Sequence, residues 1–208
     1  MSEADQVPQA EPLDAAAIEA LIKDLTSRDD LTRQKARLAL VEIGSPAVPY
    51  LIQTLQHKRD WVRWEAAKGL AEIGDAAAVQ ALAEALRDNM FEVRWLAAQG
   101  LVKIGWRSII PVVESLLDHS DSMTMRDGAH HVLHDIVHAR FNEPLKPLLT
   151  SLEGIEPAVT VPLVGRAVLE SLRPIEAQVI KEEQEAREKA EAELEAQRQN
   201  EERAKKKA

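Results

Sequence analysis

From residue 13 to residue 172 the apolar residues recur at three- and four-residue intervals, in short segments of two alternating kinds. The first kind is read in AIEALIKDL, AVPYLIQTL, AVQALAEAL and IIPVVESLL, with Pro49 and Pro111 near segment starts. The second kind is longer and closes on an Ile-Gly pair: Ile43-Gly44, Ile73-Gly74 and Ile104-Gly105. Proline near a start and glycine past an end are helix punctuation. The pattern therefore predicts first helices near 13–26, 46–57, 76–87, 107–118 and 142–152. Second helices are predicted near 30–43, 60–73, 90–104, 122–139 and 157–172.

The second helices are copies of one frame. The glycines lie 30 and 31 residues apart, and each follows by eleven residues an arginine: Arg33, Arg63 and Arg94. A fourth copy starts at Arg126 and carries Val137 where the glycine would stand. Three residues after each arginine comes alanine (Ala36, Ala66, Ala97, Ala129), and seven after comes leucine (Leu40, Leu70, Leu101, Leu133). A helical hairpin of about 30 residues cannot bury its apolar stripe alone, so consecutive hairpins must stack into a continuous core. The expected fold is all-α: a right-handed α-solenoid of about five helical hairpins, followed by a long charged C-terminal helix. The fifth unit, PAVTVPLVGRAVLESL, keeps an apolar face but lacks the frame, as a terminal cap does. Expected boundaries are an acidic disordered segment at 1–12, the repeat domain at 13–173 and a charged tail at 174–208.

The frame (T/V/M)-R-x-x-A-x-x-x-L-x-x-I-G on the second helix, with A-V-x-x-L-x-x-L on the first, resembles HEAT-like repeats of the phycobilisome-lyase type. The resemblance covers residues 13–140 closely and 141–172 loosely. It implies a curved superhelix for macromolecular binding, with the arginine-bearing helices along the concave side. It also implies that each arginine pairs with an acid just before its own helix, which Asp30 and Asp60 match and Phe91 and Met123 do not. The arginine column is read as structural.

At about 100° per residue, positions −1, +3, +7 and +10 from each arginine share one apolar arc, while −2, +1, +2 and +5 lie on the opposite side. The opposite slots hold Trp61, Trp64, Glu65 and Lys68 in the second unit, and Glu92, Trp95, Leu96 and Gln99 in the third. Phe91 borders the same strip. Large aromatic side chains left in water mark a recognition surface, because burying one is worth about 1.5–3 kcal/mol. Tryptophan is enriched among the residues that dominate interface energetics. In the fourth unit Asp127 and His131 extend the strip, beside His130, His134 and His138. Trp64 and Trp95 share one column and are expected to stack side by side. Trp106, after Gly105, reads as a packing residue.

Charge and composition narrow the chemistry. Of 208 residues 26 are Lys or Arg and 35 are Asp or Glu, a net charge of −9, which disfavours a phosphate backbone as partner. Only 3% are aromatic, so a cluster of them on one face stands out. With no cysteine, thiol catalysis and cysteine-based metal sites are excluded. An i, i+4 pair such as His130 and His134, or His134 and His138, could chelate a metal, but no second helix completes the set, so no metal and no cofactor are expected. Deoxyhypusine hydroxylase, the HEAT-repeat family with metal chemistry, uses repeated His-Glu pairs, and no histidine here precedes a glutamate. HExxH, GxGxxG and the P-loop are absent as well.

The tail from Glu176 alternates ten acidic with eight basic residues and has no heptad seam, so a solvated single helix is expected, with pairs such as Glu183–Arg187 and Glu185–Lys189. The leading functional expectation is a non-catalytic scaffold that binds a protein or peptide on the concave face. The second is a bilin lyase or lyase-like subunit, whose acceptor thiol would belong to the substrate protein. A DNA-binding solenoid ranks third, because Lys35 and Lys68 are offset by Glu65, Glu92 and Asp127. With no apolar run long enough to span a bilayer and an acidic N-terminus, a cytoplasmic location is expected.

Overall fold

A computed structural model describes residues 15–136 and 138–207, with side chains through residue 199. The acidic segment expected at 1–12 and Val137 lie outside the described residues, as do the side chains of Lys205, Lys206 and Lys207. All regular structure among the described residues is helical. The helices are α1 (Ala15–Asp24), α2 (Asp30–Ile43), α3 (Val48–Thr54), α4 (Asp60–Ile73), α5 (Val79–Ala85), α6 (Phe91–Ile104), α7 (Ile109–Asp118), α8 (Met123–Asp135), α9 (Ala139–Leu152) and α10 (Pro157–Lys207). Short 3-10 turns lead into α3, α5 and α7.

The frame read from the sequence dictates the seam. Ala36, Ala66, Ala97 and Ala129 are buried, as are Leu40, Leu70, Leu101 and Leu133, in one core shared by all the hairpins. Gly44, Gly74 and Gly105 close their helices with φ of 74°, 73° and 81°, a region that side chains disfavour, and each N–H donates to the carbonyl of the frame leucine. Small residues set the spacing of the second helices. A Cβ on Gly100 would lie 3.2 Å from the Cα of Ala71 and 3.0 Å from Leu82 Cδ1, so α4 and α6 meet backbone to backbone there.

Two layers result. The second helices α2, α4, α6 and α8 pack each on the next, and α1 on α3 and α5 on α7 form the other layer. This is the expected all-α solenoid. The fifth hairpin is turned over: α9 continues the layer of second helices by packing on α8, and α10 packs on α7 and α9.

Three boundaries differ from expectation. Helix α8 ends at Asp135, so His138 stands outside it and the His134–His138 pair is not an i, i+4 pair on one helix. Helix α9 starts at Ala139, earlier than 142. Helix α10 crosses the boundary drawn at 173/174 without a break, and Val179 is still buried. The pairs expected in the tail are replaced by Lys181–Glu185, Arg187–Glu191 and Lys189–Glu193, because Glu183 turns to the array.

Candidate functional site

The arginine column is occupied by the fold. Nη1 of Arg33, Arg63, Arg94 and Arg126 donates to the carbonyl six residues earlier, on Ser27, His57, Asp88 and Ser120, at 2.9, 3.0, 2.7 and 2.6 Å. Each bond ties the second helix to the turn that precedes it. The expected acid before the same helix holds for Arg33, which pairs with Asp30. It fails for Arg63, which reaches into the next unit to Asp88 at 2.6 and 2.9 Å and to Asn89 at 2.5 Å.

Glu65 requires a correction. It was placed on the outward strip at +2, but its side chain is buried between α2 and α4, 3.1 Å from Arg37 Nε and 3.5 Å from Arg33 Nε. Arg37, also buried, continues to Glu72 at 2.6 Å. The +2 slot points at the preceding second helix rather than at solvent, so Leu96 there is half-buried too. Glu65 joins units and leaves the set of accessible residues.

The remaining outward slots are open. Trp61 is 38% exposed, Trp95 49% and Phe91 61%, whereas Phe141 is buried in the core. Trp64 is half-buried, with one side on the core. Each ring of this group except Trp95 carries a cation from its own chain: Arg59 over Trp61 at 5.4 Å, Lys68 over Trp64 at 4.8 Å and Arg94 near Phe91 at 5.6 Å. Trp95 does not stack on Trp64 as expected. It stacks on His131 of the next unit, centroids 5.2 Å apart, and Gln99 approaches the same imidazole at 3.3 Å. A groove of about 420 Å³ runs beside the strip, lined by Asp30, Gln34, Trp61, Trp64, Lys68 and Met90 among others. Asp127, on α8, is exposed but lines a separate hollow with Met123, His130 and Glu153.

The α8 histidines form a polar cluster. His130 and His134 stack with centroids 5.9 Å apart, and His130 Nε2 lies 3.0 Å from Glu153. Asp135 lies 2.9 Å from His134 and 3.5 Å from His131. The hydrogen bond with His134 holds its carboxyl below the usual carboxylate range, and the charge of the neighbouring imidazoles adds to this. His138 packs edge-on against Phe141. Among the described residues no group of three or more His, Asp or Glu converges as a metal site.

Trp106 packs as expected, stacked on Phe141 at 6.1 Å, and its indole N–H donates to Glu183 at 3.2 Å. Sequence reasoning missed Leu31 and Leu38, which are exposed on α2. They occupy the −2 and +5 slots of the first unit, so the same angular rule would have found them. It also missed Arg37 and Glu72, whose partner relation spans 35 residues and leaves no local signal.

Residues 18–98 match the family of HEAT repeats. The chain is a HEAT-like repeat protein. The lyase-type character of the repeats is borne out by a solved structure, the complex of CpcE and CpcF of phycocyanin lyase from Nostoc sp. PCC7120. One of its chains is 25% identical, with a TM-score of 0.51, covering 73% of this HEAT-like chain and 99% of that one. An engineered protein is also similar, at 22% identity and a TM-score of 0.43, covering 74% of this chain and 79% of the other. No curated protein matches in sequence. No helix among the described residues is long and apolar enough to cross a membrane.

Proposed function

We propose that this HEAT-like array is a protein-binding scaffold whose docking face is the outward side of α4, α6 and α8. Trp61, Phe91 and Trp95 anchor the partner, with Trp64, Lys68, Leu96, Gln99, His131 and Asp127 around them. The observation that carries the reading is the shared exposure of three large aromatic rings on consecutive second helices, while the arginines beneath them are engaged within the fold. A groove built on stacked helices is preformed, so a partner meets it without the cost of ordering loops. The layer is the one expected along the concave side of such a superhelix.

A photo-crosslinking residue tests this, placed in turn at positions 61 and 95 and, as a control, at 143 on the outer side of α9. Adducts to one partner from 61 and 95 but not from 143 are expected. Equal adducts from all three positions would contradict the assignment.

A second reading is a lyase-like subunit, favoured by the similarity to a chain of the phycocyanin lyase complex over nearly its whole length. Here the docked protein would be a second lyase subunit or the cysteine-bearing acceptor. Mixing the chain with a bilin and an acceptor protein should then give a covalent adduct with shifted absorbance. No adduct, with or without a second HEAT-like subunit, would remove this reading and leave the scaffold.

A further inference from the structure

We propose that the first turns of α10 form a self-association face, pairing antiparallel with the same turns of a second copy of this chain. The inward side of α10 is set by Val161, Gly165, Val168 and Leu172, all buried against its neighbours. At about 100° per residue, Val159, Leu163, Arg166 and Glu170 stand on the opposite side. Val159 is 58% exposed and Leu163 74%, and Ile155, just before the helix, is fully in solvent. A terminal repeat ordinarily turns a polar face outward. Helix α9 does so, exposing Asn142, Glu143, Lys146 and Thr150 at the end of the other layer. The apolar end is thus confined to α10.

The stripe is self-complementary. A two-fold axis on the outer side of α10 at the level of Val161 sets Val159 of one copy against Leu163 of the other, twice, and Glu156 against Arg166, twice. Among the described residues neither Glu156 nor Arg166 has an ion pair within its own chain, although both are exposed. A patch that carries both halves of its own match is the signature of an isologous contact. Parallel pairing would set Glu156 beside its own copy and align two tails in which Leu194 is the one strongly apolar residue past Ile180. The antiparallel arrangement sends the tails apart. It also leaves the tryptophan strip free, because α10 packs in the layer of α7.

Sedimentation equilibrium of the full chain over a concentration series reads this directly, because it reports mass independently of the long helix. The expected result is a reversible rise from 23.1 kDa toward twice that mass. Leu163→Glu should weaken association by about tenfold or more, with unchanged melting in dilute solution. Glu156→Arg and Arg166→Glu should each weaken it, and the double swap should restore it, since the same contacts re-form with the charges exchanged. A monomer at every concentration would overturn the proposal. So would a dimer indifferent to Leu163→Glu, or a double swap no better than its parents.

Discussion

In α2, α4, α6 and α8 an arginine reaches back six residues to a turn carbonyl, whereas the turn between α9 and α10 has no arginine, and that hairpin lies the other way round. The first three units are joined through buried and half-buried charge, Arg33 and Arg37 on Glu65 and Arg63 on Asp88. The fifth is joined to the array at exposed rims, by Arg173 to Glu114 at 3.1 Å and by Arg107 to Glu183, with Arg140 to Glu182 at 2.7 Å inside the hairpin. A buried ion pair broken on one side leaves a stranded charge, while an exposed pair is screened by water. Order in the array is therefore keyed by charge through the first three units and left to apolar packing in the last.

The largest contrast should come from the two kinds of carboxylate. Glu65→Ala removes the carboxylate that Arg33 and Arg37 share, leaves Arg37 Nε unpaired in the seam and should cost about 3–5 kcal/mol in urea unfolding. Glu182→Ala should leave the midpoint nearly where it was. A similar loss from both would erase the distinction between keyed and unkeyed units.

Apolar truncation should separate the regions by where the damage spreads. Leu70→Ala removes a fully buried frame residue and should lower the main transition by about 2–5 kcal/mol. Leu172→Ala, equally buried, should chiefly speed hydrogen exchange in α9 and α10 while amides of α3–α6 stay protected. Protection lost evenly along the chain would show that the end hairpin is not a separate unit.

Close approach between second helices is tested by Gly100→Ala, whose new methyl meets the Ala71 backbone. A loss of about 1–3 kcal/mol is expected. No loss would mean that the layer can widen at that point.

The smallest effect concerns pH. Burial, and then the charge of Glu114, raises the Glu176 carboxyl above its ordinary value of 4.5. The folded chain then holds a proton that the unfolded chain releases, so this stability is full below the ordinary value and fades as pH rises through the raised one. Glu176→Gln should flatten that limb of a stability–pH curve. Asp135, held low by His134, works in the other direction: its contribution is present above the ordinary carboxylate range and is lost as pH falls below it.

Much of this was legible from residue columns. Arginine, alanine and leucine at fixed offsets marked the hairpins, and the angular rule placed Trp61, Phe91 and Trp95 on the open side, because a helix face follows from spacing alone. The rule failed at Glu65, since a second helix has three sides: core, neighbours and solvent. Which neighbour a +2 residue meets depends on Arg37, 28 residues away. The inverted fifth hairpin was hidden for a similar reason, as its apolar pattern fits either layer and the choice rests on long-range packing. His138 falls off α8 because that helix ends at Asp135, one residue before the Ile136-Val137 pair that stands in the Ile-Gly position, and not near 139 as expected.

The most direct measurement combines partner retention and urea unfolding of the double variant Trp61→Ala, Trp95→Ala. Retention should be lost while the unfolding midpoint stays within error of the wild type. Full retention, or a loss of stability as large as that of Leu70→Ala, would contradict the assignment of the outward rings to recognition.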